Sequence, residues 1–188
     1  MTWSIETERL VLRLYRESDA SDIVEYSKVA DFWLARNLDW EPTEEGVRGY
    51  YESGRDSDPL SLPSWLDLVI EVKELRKVVG NVGIGVRNRE QRQAEMGWLL
   101  GVQYQGDGIA TEAVKAVVTF GFESMGLHRI FANTGKLNSA SWQLMERIGM
   151  RREAHFLKSH KVDGQWDDEF LYAVLSDEWE PAVHATSF

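Results

Sequence analysis

Gln105 to Ala110 read Q-G-D-G-I-A and run directly into a helix-forming stretch. Two glycines one residue apart, then the small Ala110, let backbone N–H groups come close to an anion. A helix start adds unpaired amides and the positive end of the dipole, which is the chemistry of a phosphate cradle. The same residues also make an ordinary turn, and the motif alone leaves both readings open. It is not a Walker loop, because no GK[ST] follows, and the glycine spacing is not the dinucleotide fingerprint. Asp107 sits between the glycines. Two like unit charges 4 Å apart repel by about 1 kcal/mol in water and about 4 at an effective dielectric of 20, so a cradle requires Asp107 to face solvent.

Two more residues have types and positions suited to chemistry. Glu95 lies in an alternating run and shares a strand face with Gly97 and Leu99. It reads either as a proton acceptor or as the partner of an arginine such as Arg87 or Arg92. Ser141 recurs with Leu144, Met145 and Ile148 at helical spacing, so its hydroxyl points with the apolar face and needs a partner. It reads either as a functional hydroxyl or as a first-turn serine bonded to local backbone. Asn138, just ahead, is a good N-cap.

The elements that position these residues follow from the periodicities. Alternation predicts strands over 8–15, 64–72, 77–86, 94–101, 127–134, roughly 150–161 and 169–175. Helical spacing predicts helices from Ser18 and Asp19 to about residue 29, over 107–124 and over 139–148, with a short one over 43–54. Residues 31–64 are the least regular and contain Trp33, Trp40, Tyr50 and Tyr51. The β-α-β unit over 94–134, set among antiparallel strands, predicts an α/β (α+β) fold. Its sheet is mixed, mostly antiparallel, of about seven strands, with helices on both faces.

Composition narrows the function classes. The chain has 188 residues, a formal net charge of -10 and no cysteine. The negative field disfavours nucleic acid and anionic membranes and suits a cationic partner, although such a charge also simply maintains solubility. Without cysteine there is no thiolate metal site and no cysteine nucleophile. No metal site is expected from the histidines: His155 and His160 fall on opposite strand faces, His128 lies in a strand and His184 in the tail. The N-terminal residues carry charge almost throughout, and no run approaches a membrane span, which suits a cytoplasmic protein.

The order Q-G-D-G-I-A, with T-E-R-L-V-L-R near the start, A-E-M-G-W-L-L before the turn, L-H-R-I-F-A-N-T and N-S-A-S after it, and D-G-Q-W-D-D-E-F-L-Y-A-V-L-S-D-E-W at the end, resembles the RimJ/RimL-type branch of the GNAT superfamily. These are acyl-CoA-dependent N-acetyltransferases. The resemblance implies the GNAT fold in a single acetyltransferase domain over 1–188, with 181–188 as a loose tail. It implies acetyl-CoA as co-substrate, held at the pyrophosphate by Gln105, Gly106, Asp107, Gly108, Ile109, Ala110 and Thr111. Leu99 and Leu100 would meet the pantetheine arm through their backbone, and Asn138 and Ser141 would also contact the coenzyme. In this branch the glutamate at Glu95 is associated with deprotonating the amine, and the serine at Ser141 lies near the coenzyme sulfur. Trp33, Trp40, Tyr50, Tyr51 and Trp98 fall where the acceptor pocket is built. The aromatic residues there serve equally well as core, and the acids Asp31, Asp39, Glu41, Glu44 and Glu45 serve equally well as exposed helix-start charges.

Two departures stand out. The family often has tyrosine at Trp98 and proline at Val102, which removes a phenol beside Glu95; many members carry a base at Asp107. The resemblance implies acetyl transfer to an amine, an N-terminal α-amine of a protein or a small amine, by direct attack in a ternary complex. A free α-amine has a pKa near ~7.7–8.0 against ~10.4 for lysine, so it asks less of a carboxylate base. Acetylation of an antibiotic or metabolite amine, and a non-catalytic acyl-CoA sensor, are the alternatives, and a homodimer is compatible with all of them.

Overall fold

Leu10 and Leu12 alternate with Val11 and Arg13, and the leucines are fully buried while Val11 is not. The same period-two code builds one sheet of eight strands in the order β1-β2-β3-β4-β5-β6-β8-β7. The computed structural model describes residues 4–28, 43–54, 65–162 and 164–180. The strands are β1 (Ser4–Glu6), β2 (Leu10–Arg13), β3 (Leu66–Val72), β4 (Lys77–Asn88), β5 (Gln93–Leu100), β6 (Arg129–Gly135), β7 (Arg151–Val162) and β8 (Gln165–Leu175). The helices are α1 (Ala20–Lys28), α2 (Glu44–Gly54), α3 (Ile109–Glu123) and α4 (Ser139–Arg147). This is the expected mixed, mostly antiparallel sheet with helices on both faces. The strand beyond the periodic pattern is β1, whose three residues are too few to carry a period and which turns back onto β2 through Thr7.

All pairings are antiparallel except β5 with β6. That parallel pair is the product of the β5-α3-β6 crossover. Its register runs only through Gln93↔Arg129, Ala94↔Ile130 and Glu95↔Phe131. Beyond Glu95 the strands part: β5 goes on pairing β4 to Leu100, and β6 goes on pairing β8 to Gly135. Among the described residues, β5 therefore has no strand partner on its β6 side from Met96 onward. In open sheets, ligands bind outside the carboxyl ends of parallel strands, where helices begin. Here α3 follows the end of β5 and α4 follows the end of β6.

The two sheet faces carry separate cores. One gathers Leu10, Leu12, Val82, Ile84, Ala94, Met96 and Ile130 under the Ala113, Val114 and Val117 face of α3. The other packs Val69 and Val78 against Ile23 and Tyr26 of α1 and Val47 and Tyr51 of α2. Each fully buried aliphatic side chain contributes about 1.5–3 kcal/mol relative to exposure. The second face is pinned by a buried ion pair. Arg13 Nη1 and Nη2 donate to Asp19 Oδ2 and Oδ1 at 2.7 and 2.8 Å, and the Arg16 N–H adds a bond of 2.7 Å to Oδ2. This fork fixes the entry to α1 against β2.

Candidate active site

The turn between β5 and α3 has the geometry of a cradle. Gly106 and Gly108 have φ of +94° and +77°, a region costly for residues with a Cβ. Gly108 is the N-cap of α3 and contributes no side-chain cap bond. The first intrahelical donor is the Glu112 N–H, bonded to the Gly108 carbonyl at 3.0 Å. The amides of Ile109, Ala110 and Thr111 precede it and have no intrahelical acceptor, the feature that an anion site at a helix start requires. Asp107 is exposed, so its carboxylate meets water, as the cradle reading requires.

Two arginines absent from the sequence reading border this turn. Arg9 Nη1 donates to the Asp107 carbonyl at 2.9 Å, and Arg9 Nε donates to Glu112 Oε2 at 2.6 Å. Glu112 Oε1 accepts the Thr7 hydroxyl at 2.5 Å and the Arg9 N–H at 3.1 Å. Burial opposes ionisation of Glu112, but the bonds to Thr7 and Arg9 outweigh it and hold the carboxyl below its ordinary range. Arg147, in the last turn of α4, donates from Nη1 to Thr111 Oγ1 at 3.3 Å. Cations thus stand on both sides of the turn despite Asp107. Gln105 folds back, its Nε2 donating to the Leu100 carbonyl at 3.2 Å.

Glu95 is the last residue at which β5 and β6 are paired. Its side chain is half-buried on the α1 and α2 face, and Arg87 Nε donates to Oε2 at 2.8 Å. The pairing with Arg87 is one of the two roles its sequence position offered. Oε1 takes no hydrogen bond among the described residues. Leu99 shares that face and packs on the second core, while Leu100 is buried in the first. Asn138 caps α4, its Oδ1 accepting the Ser141 N–H at 3.3 Å. Ser141 is half-buried beside buried Leu144 and Met145, and its hydroxyl has no hydrogen-bond partner among the described residues.

The aromatic residues divide differently. Trp98 packs against the first core, opposite Val82, on the other sheet face from Glu95. Trp33 and Trp40 lie outside the described residues. Tyr51 is core, stacked on Tyr15 at 4.4 Å between centroids. Tyr50 instead reaches Asp67, donating to Oδ2 at 3.3 Å, and Asn81 Nδ2 donates to Oδ1 at 2.9 Å. Burial pushes the Asp67 carboxyl up to about 6 against the lowering effect of these two bonds. Trp65, on the same face, lies flat over Gly83 and Gly97: a Cβ on Gly83 would fall 2.2 Å from its Nε1, and one on Gly97 would fall 3.6 Å from its Cζ2. The Arg87 guanidinium stands 5.5 Å from the Trp65 ring centroid. A signal for Trp65 does exist in the sequence. Gly83, Gly85 and Gly97 fall on one face of two adjacent strands, and a patch without Cβ atoms invites something large to lie on it.

A splayed parallel pair, a glycine turn opening a helix at its carboxyl end and a carboxylate at the point of divergence are in keeping with a group-transfer enzyme of coenzyme-binding type. The chain belongs to the Acetyltransferase (GNAT) domain family, matched over residues 9–151, and is an acetyltransferase. Enzymes of this family take the acetyl group from acetyl-CoA. The chain is 28% identical over 177 residues to the uncharacterized N-acetyltransferase YnaD of Bacillus subtilis (strain 168), covering 93% of this chain and 98% of that one. It is 25% identical over 194 residues to the [ribosomal protein uS5]-alanine N-acetyltransferase of Escherichia coli (strain K12), covering 94% and 93%. A solved GNAT-family acetyltransferase from Bacillus anthracis superposes with a TM-score of 0.77 at 29% identity, over 94% of this chain and 100% of the other. Among the described residues no helix is long and apolar enough to cross a membrane, and no cluster of three metal-ligating side chains occurs.

Proposed function

We propose that the protein transfers an acetyl group from acetyl-CoA to an amine by direct attack in a ternary complex. The observation that carries this reading is the parting of β5 from β6 at Glu95, with the cradle of Gly106 to Thr111 at the end of the same strand. The unpaired β6-side edge of β5 suits an amide-bearing pantetheine arm, received as a strand would be. The amine nitrogen attacks the thioester carbonyl carbon, and Glu95 takes a proton from it through the oxygen that Arg87 leaves free. Collapse of the tetrahedral intermediate breaks the C–S bond. The Ser141 hydroxyl donates a proton to the departing thiolate and is reprotonated from water. The chain has no cysteine to carry the acetyl group, which favours direct attack over an acyl-enzyme.

The acceptor in this reading is an N-terminal α-amine of a protein or peptide, or a small amine. An α-amine is partly neutral near pH 7, whereas a lysine amine is almost wholly charged. The relative that acetylates an alanine of a ribosomal protein is in keeping with that choice. The test is a panel of peptides and small amines with acetyl-CoA, following release of the free thiol. Turnover with peptide N-termini above lysine side chains supports the reading; coenzyme binding without transfer to any amine overturns it.

A further inference from the structure

Asp67 is a half-buried carboxylate whose hydrogen-bond donors, Tyr50 and Asn81, are both neutral, and no cationic side chain pairs with it among the described residues. A desolvated carboxylate without a counter-charge is costly, and such groups are ordinarily paired. Asp67 lies on the same sheet face as Glu95. Asp67 is the register partner of Gly83, and Gly83 is the partner of Gly97, two residues along from Glu95. With strands about 4.8 Å apart and about 3.4 Å per residue, the two carboxylate-bearing residues stand on the order of 10 Å apart. Between them lies the Trp65 indole, resting on Gly83 and Gly97, with the Arg87 guanidinium of the Glu95 ion pair 5.5 Å from its ring centroid. An aromatic face flanked by two carboxylates attracts ammonium groups by its quadrupole as well as by charge.

We propose that Trp65 and Asp67 form the acceptor subsite: a dicationic amine lies along the indole with its reacting nitrogen at Glu95 and its second positive charge at the Asp67 carboxylate. This rests on the assignment of Glu95 as the base. The second cation replaces the counter-charge that Asp67 lacks, so selectivity resides in a group remote from the chemistry. Gly83 is required because any side chain there would displace the indole. The class of acceptor includes both diamines and peptide N-termini followed closely by a basic residue.

The test compares 1,4-diaminobutane with 1-aminobutane, and a peptide with lysine at its second position with one bearing alanine there. The wild type is expected to favour the dicationic member of at least one pair in kcat/KM, and the pair favoured identifies the source. Asp67→Asn is expected to reduce that preference at least tenfold by lowering kcat/KM for the dicationic member, with the KM for acetyl-CoA within twofold of wild type. Trp65→Ala raises KM for both members of the favoured pair, and Trp65→Phe restores most of the loss. A folded Asp67→Asn variant with unchanged preference, or a wild type without preference, overturns the proposal. If the wild type acetylates none of these amines, calorimetric titration of the same amines into the coenzyme A complex decides separately. Dication binding lost in Asp67→Asn upholds the subsite while the transferase reading fails; no binding, or binding indifferent to Asp67, overturns the subsite too.

Discussion

Arg9 Nη1 donates to the Asp107 carbonyl at 2.9 Å, tying the head of β2 to the glycine turn 98 residues later. That bond holds one carbonyl of the turn, just ahead of the amides of Ile109 to Thr111 that have no intrahelical acceptor. The same guanidinium grips Glu112 in the first turn of α3. Arg9 thus ties the turn to the first turn of α3 through a side chain that is half-exposed.

Arg9→Ala is expected to raise the acetyl-CoA dissociation constant about tenfold, the equivalent of one charged hydrogen bond of about 1.5 kcal/mol. Arg9→Lys keeps the charge but loses the fork, and is expected to recover less than half of that free energy. Calorimetric titration checks both. An equal recovery by lysine would mean that the charge alone matters and the grip on the carbonyl does not.

Asp107 meets water and leaves the capping position to Gly108. Its charge can therefore be reversed without removing a bond that holds the turn. Asp107→Lys is expected to tighten acetyl-CoA binding several-fold at low salt, in line with about 1 kcal/mol for a solvated charge pair. The gain should fade as ionic strength rises and the Debye length falls to about 8 Å near physiological salt. Dissociation constants measured across a salt series check this; a gain independent of salt would have to come from a change in the turn itself.

Glu95 and Arg87 form an ion pair with side chains 28% and 45% exposed, and such pairs contribute at most about 1 kcal/mol to stability. Their two possible uses separate in kinetics. If Glu95 is the base, Glu95→Gln lowers kcat by about 10²-fold or more while the melting temperature hardly moves. Arg87→Ala then leaves most of kcat in place. If the carboxylate serves only the ion pair, the two variants will show the same small losses. Single-turnover rates with saturating acetyl-CoA make the comparison.

The contrast between Glu95 and Trp98 marks how far the sequence carries. Three residues apart on a strand, they must lie on opposite faces, so the period that placed Glu95 on the α1 and α2 face also placed Trp98 against the first core. The alternation carries that separation, although the family resemblance sets position 98 beside Glu95 and in the acceptor pocket. The long helix and strands such as β3 and β4 were legible as well, because their apolar repeats span many residues. The three-residue β1 was not, and neither was the reach of Arg9 to residues 107 and 112, since both depend on contacts between distant segments. Trp65 was hidden in a different way. It precedes a clean strand, and its place is set by missing Cβ atoms on two other strands. Asp67 reads as one polar residue of an alternating strand; only folding brings Tyr50 and Asn81 to it and takes it partly out of water.

That removal of water gives Asp67 a measurable pH signature. Its carboxyl is raised from 3.8 to about 6 by burial, with Asn81 and Tyr50 opposing, and the other titratable groups against it are the buried phenols of Tyr26 and Tyr51. A raised folded-state pKa means that the folded protein holds the proton more tightly than the unfolded chain. The resulting stabilisation is fully present below about pH 4 and is lost as pH rises through about 6. The displacement sets an upper bound of about 3 kcal/mol on this loss, at 1.36 kcal/mol per pH unit. Asp67→Asn keeps the shape and removes the titration. Denaturant midpoints between pH 4 and 7 should therefore fall less steeply with rising pH in Asp67→Asn than in the wild type. Above pH 6.5 the variant should be the more stable of the two, provided the amide keeps the bonds to Tyr50 and Asn81. Parallel profiles would mean that Asp67 stays hydrated in the free protein, and a cation that binds there would then gain little from displacing water.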